Sequence, residues 1–367
     1  MKTSAVPPKI SARKNFLMKT GLMFVSLVVS LLILEIGIRW LSPPSPLTPF
    51  LPLRPYMKRE LHPDLRGVSP VAHYSTNRWG MRGDEPPRDW KAAYTVVTIG
   101  GSSTLCYYLD DRKTWPSLLQ EKLRGKYPKV WVGNGGLDGQ TTRGHLVFMK
   151  EVVQKIKPKV AIFLVGANDL TFSISEDRKI YGNPYDQPYW KFQLFRSRLV
   201  QILFLWKAIL FDKVTVVKDQ GHGNFEPKPL SPDAVTFQDP KAMLPVLGEY
   251  RSNLKKIIQL GTSSGTRMIF LTQPMLFEDN AYWRTVAANF YWVQKTRGYL
   301  SAADDWRLLN LYNQELLEVC KEENVECFDL ASRIPHDPRY FYDSVHLTEK
   351  GAELVAEKIS GFLKKQG

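Results

Sequence analysis

Tyr94–Thr104 reads YTVVTIGGSST, a β-branched apolar run that stops at two glycines and is followed at once by three hydroxyl residues. Six residues without apolar–polar alternation suit a strand covered on both faces, as in a parallel sheet. The glycine pair suits a tight turn, and the hydroxyls then stand where a helix begins. The same grammar repeats outward. Trp115–Leu123 has helical apolar spacing; Val130–Val132 is a second strand, followed by a helix near Arg143–Ile156. Val160–Val165 (VAIFLV) is a third strand. Met268–Thr272 (MIFLT) is a fourth, after a helix near Leu247–Leu260, and Val325–Leu330 a fifth, after a helix near Leu308–Cys320; Glu349–Leu363 closes the pattern as a helix. Such alternation predicts an α/β domain over 91–367: a doubly wound, flavodoxin-like, mostly parallel five-stranded sheet with helices on both faces, binding ligands at the carboxyl ends of its strands. Residues 171–244 interrupt the rhythm as an insertion.

The carboxyl ends carry a chemical set. The first strand ends in Gly100-Gly101-Ser102-Ser103-Thr104, the second in Asn134-Gly135-Gly136 and then Gly139-Gln140-Thr141, and the third in Gly166-Ala167-Asn168-Asp169. Asp343-Ser344-Val345-His346 precedes the last helix. Acyl transfer needs a nucleophile, a base, a carboxylate that orients the base, and donors for the oxyanion. Ser102 is the candidate nucleophile, with Ser103 its rival, His346 the base and Asp343 the orienting acid. The N–H groups of Ser102 and Gly136 and the amide of Asn168 are the candidate oxyanion donors. Each block alone has a plainer reading: Ser102 as a helix N-cap, Asn168 as a loop tie, Gly136 as a residue present for its dihedrals. Gly100–Thr104 does not make the G-x-G-x-x-G of a dinucleotide site.

These four blocks, in this order, resemble those of the SGNH hydrolases, or GDSL esterases, over about residues 94–364. That family places its nucleophilic serine after the first strand, an oxyanion glycine after the second, an asparagine in G-x-N-D after the third and a D-x-x-H near the C-terminus. Gly101 stands where the eponymous aspartate usually sits, which weakens the motif more than the mechanism. The resemblance implies a cofactor-free serine esterase that hydrolyses an O-acyl ester on an envelope carbohydrate or a lipid. Two alternatives stay open: a polysaccharide O-acetyltransferase with the same triad, and a non-catalytic, membrane-anchored carbohydrate-binding module.

Further out, Thr20–Ile38 is a nineteen-residue apolar run with one charge, Glu35. That is about the length needed to cross a bilayer. Five Lys/Arg and no acid precede it, which predicts a cytoplasmic segment 1–19 and an uncleaved signal anchor over 20–41. Bulky Arg39-Trp40-Leu41 follows in place of a small-residue cleavage site, the mark of a removed signal peptide. The expectation is a single-pass protein of a bacterial inner membrane with its domain in the periplasm or outside the cell. Residues 42–90 hold ten prolines and read as a stiff spacer, within which Asn77–Gly83 is either plain linker or a turn-rich strand pair laid on the domain.

Of the net charge of +14, residues 1–66 contribute ten Lys/Arg against three acids, beside the apolar run. Basic charge placed there suits anionic headgroups, and nucleic acid is not an expected partner. Three cysteines and six histidines show no zinc spacing, so no metal is expected. Cys320 and Cys327 are free to pair in an oxidising compartment. Inside the insertion, Leu199–Phe211 (LVQILFLWKAILF) is too short to span a bilayer and reads as a buried helix, a lid or an interfacial helix. Tyr185, Tyr189 and Trp190 are candidates for stacking on a sugar ring.

Overall fold

The computed structural model describes residues 12–41, 53–174, 197–211, 215–217, 226–231, 244–288 and 300–365. The main sheet has five strands among them: β1 (Tyr94–Gly100), β2 (Val130–Gly136), β3 (Val160–Leu164), β4 (Arg267–Leu271) and β5 (Glu326–Phe328). Their order is β2-β1-β3-β4-β5 with every pair parallel. This is the flavodoxin-like doubly wound arrangement, and its switch point falls between β1 and β3. The apolar runs explain the burial: Val96, Val97, Ile99, Ile162, Phe163, Ile269 and Phe270 are fully covered. The helix Trp115–Arg124 packs with the C-terminal helix Glu349–Lys365. Leu244–Ser263 packs with both Thr142–Phe148 and Ala302–Glu322.

Local chemistry sets the helix starts. The Thr114 side chain accepts from Ser117 N ahead of Pro116, and the Ser301 side chain accepts from Asp304 N. Each satisfies an amide that a helix start otherwise leaves without a partner.

β2 runs four residues further than the apolar pattern predicts, through Gly133-Asn134-Gly135-Gly136. The cause is close backbone approach. A Cβ on Gly136 would lie 2.3 Å from Leu105 N, so only glycine lets the strand end pass under the Ser102–Leu105 helix.

The Pro-rich segment departs from the spacer expectation. Within its described part, Lys58–Leu61 and Ala72–Ser75 pair antiparallel, and Lys58–Leu61 pairs in parallel with Thr215–Val217 of the insertion. Prolines 55, 63, 70, 86 and 87 fall outside these strands, where a missing amide costs no ladder bond. Asn77–Gly83 lies on the domain: Met81 is fully buried, and Arg82 bridges to both Thr76 and Asn134. The Arg82 guanidinium, 1% exposed, donates to the carbonyls of Leu105, Cys106 and Leu109 and pairs with Asp111 at 2.7 Å.

The insertion contributes the helix Arg198–Phe211, whereas Tyr185, Tyr189 and Trp190 lie outside the described residues. Cys320 and Cys327 form a disulfide, and Cys106 is a buried free thiol. The N-terminal helix covers Ala12–Leu41 and packs none of its most apolar stretch inside the protein.

Candidate active site

Where β1 ends, Gly101 leads into the four-residue helix Ser102–Leu105, with Leu105 N donating to Gly101 O and Cys106 N to Ser102 O. The turn lifts Ser102 at the carboxyl edge of the sheet. The other half of the site comes from the loop before the last helix. Phe341 and Leu347 bridge across it, Tyr342 N donates to His346 O, and Leu276 N to Ser344 O. Inside this loop Asp343 Oδ1 accepts from the amides of Val345 (3.0 Å) and His346 (2.7 Å). That leaves Asp343 Oδ2 to meet His346 Nδ1 at 2.6 Å, while His346 Nε2 lies 2.6 Å from Ser102 Oγ. The buried Tyr342 ring stacks on the imidazole, 6° from parallel. Ser103 points elsewhere: it is buried, its hydroxyl donates to Val345 O, and Gln273 Nε2 reaches it at 3.4 Å. The imidazole therefore meets Ser102 and not its neighbour.

The electrostatics suit a base. The surrounding protein pulls the His346 pKa down, but the charge and hydrogen bond of Asp343, with Asp138 adding to them, outweigh that pull, and the net shift is upward. Asp138 lies on the loop after β2, where the protein around it raises its carboxyl pKa and the charge of His346 opposes the rise. Cys106 is no competing nucleophile, since burial pushes its thiol up to about 11.

Of the expected oxyanion donors, Ser102 N, at the helix start, has no hydrogen-bond partner among the described residues. Asn168 Nδ2 donates one hydrogen to Gln140 O at 3.1 Å, and an amide nitrogen has a second to offer. Asn168 sits so close over the nucleophile turn that a Cβ on Gly101 would come within 2.0 Å of its Nδ2. The missing aspartate of the G-D-S block thus has a steric counterpart here.

Gly136 departs from the expectation. Its N–H already donates to Asn134 Oδ1 at 2.9 Å, and its Cα faces Leu105 from below. Three residues on, Gly139 has left-handed backbone (φ 66°), an N–H without a partner among the described residues, and as its neighbour Gln140, the residue that holds Asn168. Gly139-Gln140-Thr141 was visible in the sequence as a second glycine turn after the same strand.

Asp169 fastens this loop. Its carboxylate accepts from Thr142 N (3.0 Å) and Thr142 Oγ1 (2.6 Å), and burial outweighs those bonds to push its pKa up to about 7. Among the described residues no group of three or more His, Cys, Asp or Glu is placed to hold a metal ion.

Comparison with known proteins gives the following relatives. The chain is 30% identical to an arylesterase of Vibrio mimicus, over 22% of this chain and 40% of the relative. It is 30% identical to the esterase TesA of Pseudomonas aeruginosa, over 21% and 39%. The chain thus spans less than half the length of the curated relatives it matches. Among solved structures, a lipase/acylhydrolase from Enterococcus faecalis aligns at 17% identity and a TM-score of 0.43, covering 74% of this chain and 96% of that one. An acetylxylan esterase from Geobacillus stearothermophilus aligns at 16% and 0.43, covering 75% and 94%. Residues 97–354, well over half of the chain and the span that holds all four blocks, match the model of the GDSL-like Lipase/Acylhydrolase family, and the chain belongs to that family.

Proposed function

We propose that the chain is a serine esterase that hydrolyses an O-acyl ester through Ser102, His346 and Asp343. The observation that carries this reading is the relay of two 2.6 Å contacts, from Asp343 Oδ2 to His346 Nδ1 and from His346 Nε2 to Ser102 Oγ. Family membership supports it, as do the esterase names of the relatives.

The chemistry follows from the geometry. As Ser102 Oγ attacks the acyl carbon, His346 Nε2 takes its proton, and Asp343 holds the imidazole in the right tautomer and stabilises the cation that forms. The negative charge that gathers on the acyl oxygen is met by the N–H groups of Ser102 and Gly139 and by the Asn168 amide, with Gly139 taking the part the sequence suggested for Gly136. Collapse breaks the ester C–O bond, and His346 returns the proton to the departing alcohol. Water, deprotonated by the same imidazole, then releases the acid and restores Ser102.

The helix Ala12–Leu41 anchors the domain in a membrane, with the domain outside the cytoplasm. Support comes from the one-sided basic charge before the helix and from the disulfide, a bond of oxidising compartments. The substrate is then an acylated carbohydrate or lipid within reach of that membrane. Purified full-length chain should turn over p-nitrophenyl acetate or butyrate steadily in buffer. A rate unchanged in Ser102→Ala would refute the reading.

A further inference from the structure

Glu35 is the one acid in the apolar run of the N-terminal helix, and three of its partners lie more than 160 residues away in sequence. Its Oε1 accepts from Arg198 N at 2.8 Å; its Oε2 accepts from Leu199 N at 3.0 Å and Ser197 Oγ at 2.8 Å. Arg39 Nε, one turn on, completes the carboxylate's surroundings at 2.7 Å. Ser197 Oγ in turn accepts from Val200 N at 3.3 Å. The first amides of a helix have no acceptor within the helix itself, and they stand at the end that attracts negative charge. A carboxylate within an apolar span is costly unless it finds such partners, so each element satisfies a polar group of the other.

The helix capped in this way is apolar on its outside. Leu203, Trp206 and Leu210, spaced three and four apart, form one stripe at 62%, 64% and 66% exposure, with Lys207 beside them. Fourteen residues make about 21 Å of helix, too short to cross a bilayer. The helix packs beside the N-terminal helix, on which Leu31, Leu32, Leu34, Ile36 and Trp40 are all exposed. Lys207 has a stem long enough to carry its charge to the headgroups.

We propose that the helix Arg198–Phe211 lies in the lipid beside the outer end of the helix Ala12–Leu41, as a second membrane contact of the catalytic domain. The occupant of its apolar stripe is the acyl-chain region of the outer half of the bilayer. The proposal rests on the anchored reading given above. Its consequence is orientation. Four residues beyond Phe211, Thr215–Val217 joins the strand Lys58–Leu61, and Leu61 packs with Leu105, the last residue of the nucleophile's helix. A short path of chain and packing thus ties the lipid-held helix to Ser102, so that the active site keeps a fixed attitude to the membrane instead of swinging on a single tether.

The test uses the full-length chain in phosphatidylethanolamine–phosphatidylglycerol vesicles, with one nitroxide per variant at Leu203→Cys, Leu210→Cys, Val29→Cys and Tyr282→Cys. Val29 belongs to the N-terminal helix, and Tyr282 is an exposed residue of the domain. Collision with dissolved oxygen and with a water-soluble nickel chelate reports the depth of each label. The labels at 203 and 210 should match the one at 29, open to oxygen and shielded from nickel, while the label at 282 meets nickel freely. Adding Glu35→Ala should raise nickel access several-fold at 203 and leave 29 unchanged. Nickel access at 203 and 210 equal to that at 282, with 29 shielded, overturns the second contact and leaves the anchor standing. Nickel access at 29 overturns the anchor and the proposal together. Shielding of 203 and 210 from both reagents means that protein covers the stripe, which also overturns the proposal.

Discussion

His346 is held from three sides: Asp343 grips one ring nitrogen, Tyr342 stacks on the face, and Ser102 meets the other nitrogen. Because the net shift of its pKa is upward, the acid limb of kcat/KM should lie above the ordinary histidine value of 6.5, with activity lost as the pH falls through it. Asp138→Asn removes one of the charges that favour the protonated ring. The limb should therefore move to lower pH, read from kcat/KM over a pH series; a limb that stays in place shows that Asp138 exerts no such influence. Gly101 and Asn168 are coupled by contact. Asn168→Ala should lower kcat by about 10²–10³, the usual cost of one oxyanion donor. Gly101→Ala displaces the same amide and should give a loss of the same kind, but little further loss when Asn168 is already alanine. Additive losses in that double-mutant cycle would contradict the steric account. The sequence was enough to single out Ser102, Asp343, His346 and Asn168 as candidates, because each side chain has a distinct chemical type. It did not separate the two glycines. Gly136 ends β2 and Gly139 lies three residues on, and the bond from Gly136 N to Asn134 Oδ1 tells them apart.

Elements that could be read from sequence are those whose apolar pattern is local. β1, β3 and β4 were visible as unbroken apolar runs, and the long helices by their spacing. β2 was half visible because its second half is mostly glycine, chosen for clearance under Ser102–Leu105 and not for strand propensity. The strands at 58–61 and 72–75 were hidden among prolines. Four residues each carry little pattern, and their partners include Thr215–Val217, some 150 residues away. Arg82 shows what that segment contributes. Its buried guanidinium gathers the carbonyls of Leu105, Cys106 and Leu109 beneath the nucleophile's helix. Arg82→Ala takes the shared cation away from these carbonyls and leaves Asp111, without its ion pair, on the bonds from Ser75 alone. It should cost about 3–5 kcal/mol in urea-induced unfolding, the range for breaking a buried ion pair from one side. A loss below about 1 kcal/mol, the worth of a surface pair, would show that the segment is not integral to the domain.

For the whole molecule, the apolar N-terminal helix and the Cys320–Cys327 disulfide both bear on the proposed placement of the domain outside the cytoplasm. A C-terminal alkaline phosphatase fusion in a bacterial host should be active, and the denatured, unreduced chain should show one titratable thiol, Cys106, out of three cysteines. Three free thiols and an inactive fusion would place the domain in the cytoplasm. Whether Ser102 is the nucleophile of an acyl-transfer site is read from intact-mass analysis after treatment with a fluorophosphonate. Wild type and Ser103→Ala should each gain one phosphonyl group, and Ser102→Ala should gain none. Labelling of Ser102→Ala at the wild-type rate, with loss of labelling in Ser103→Ala, would contradict the account and move the nucleophile one residue along the chain.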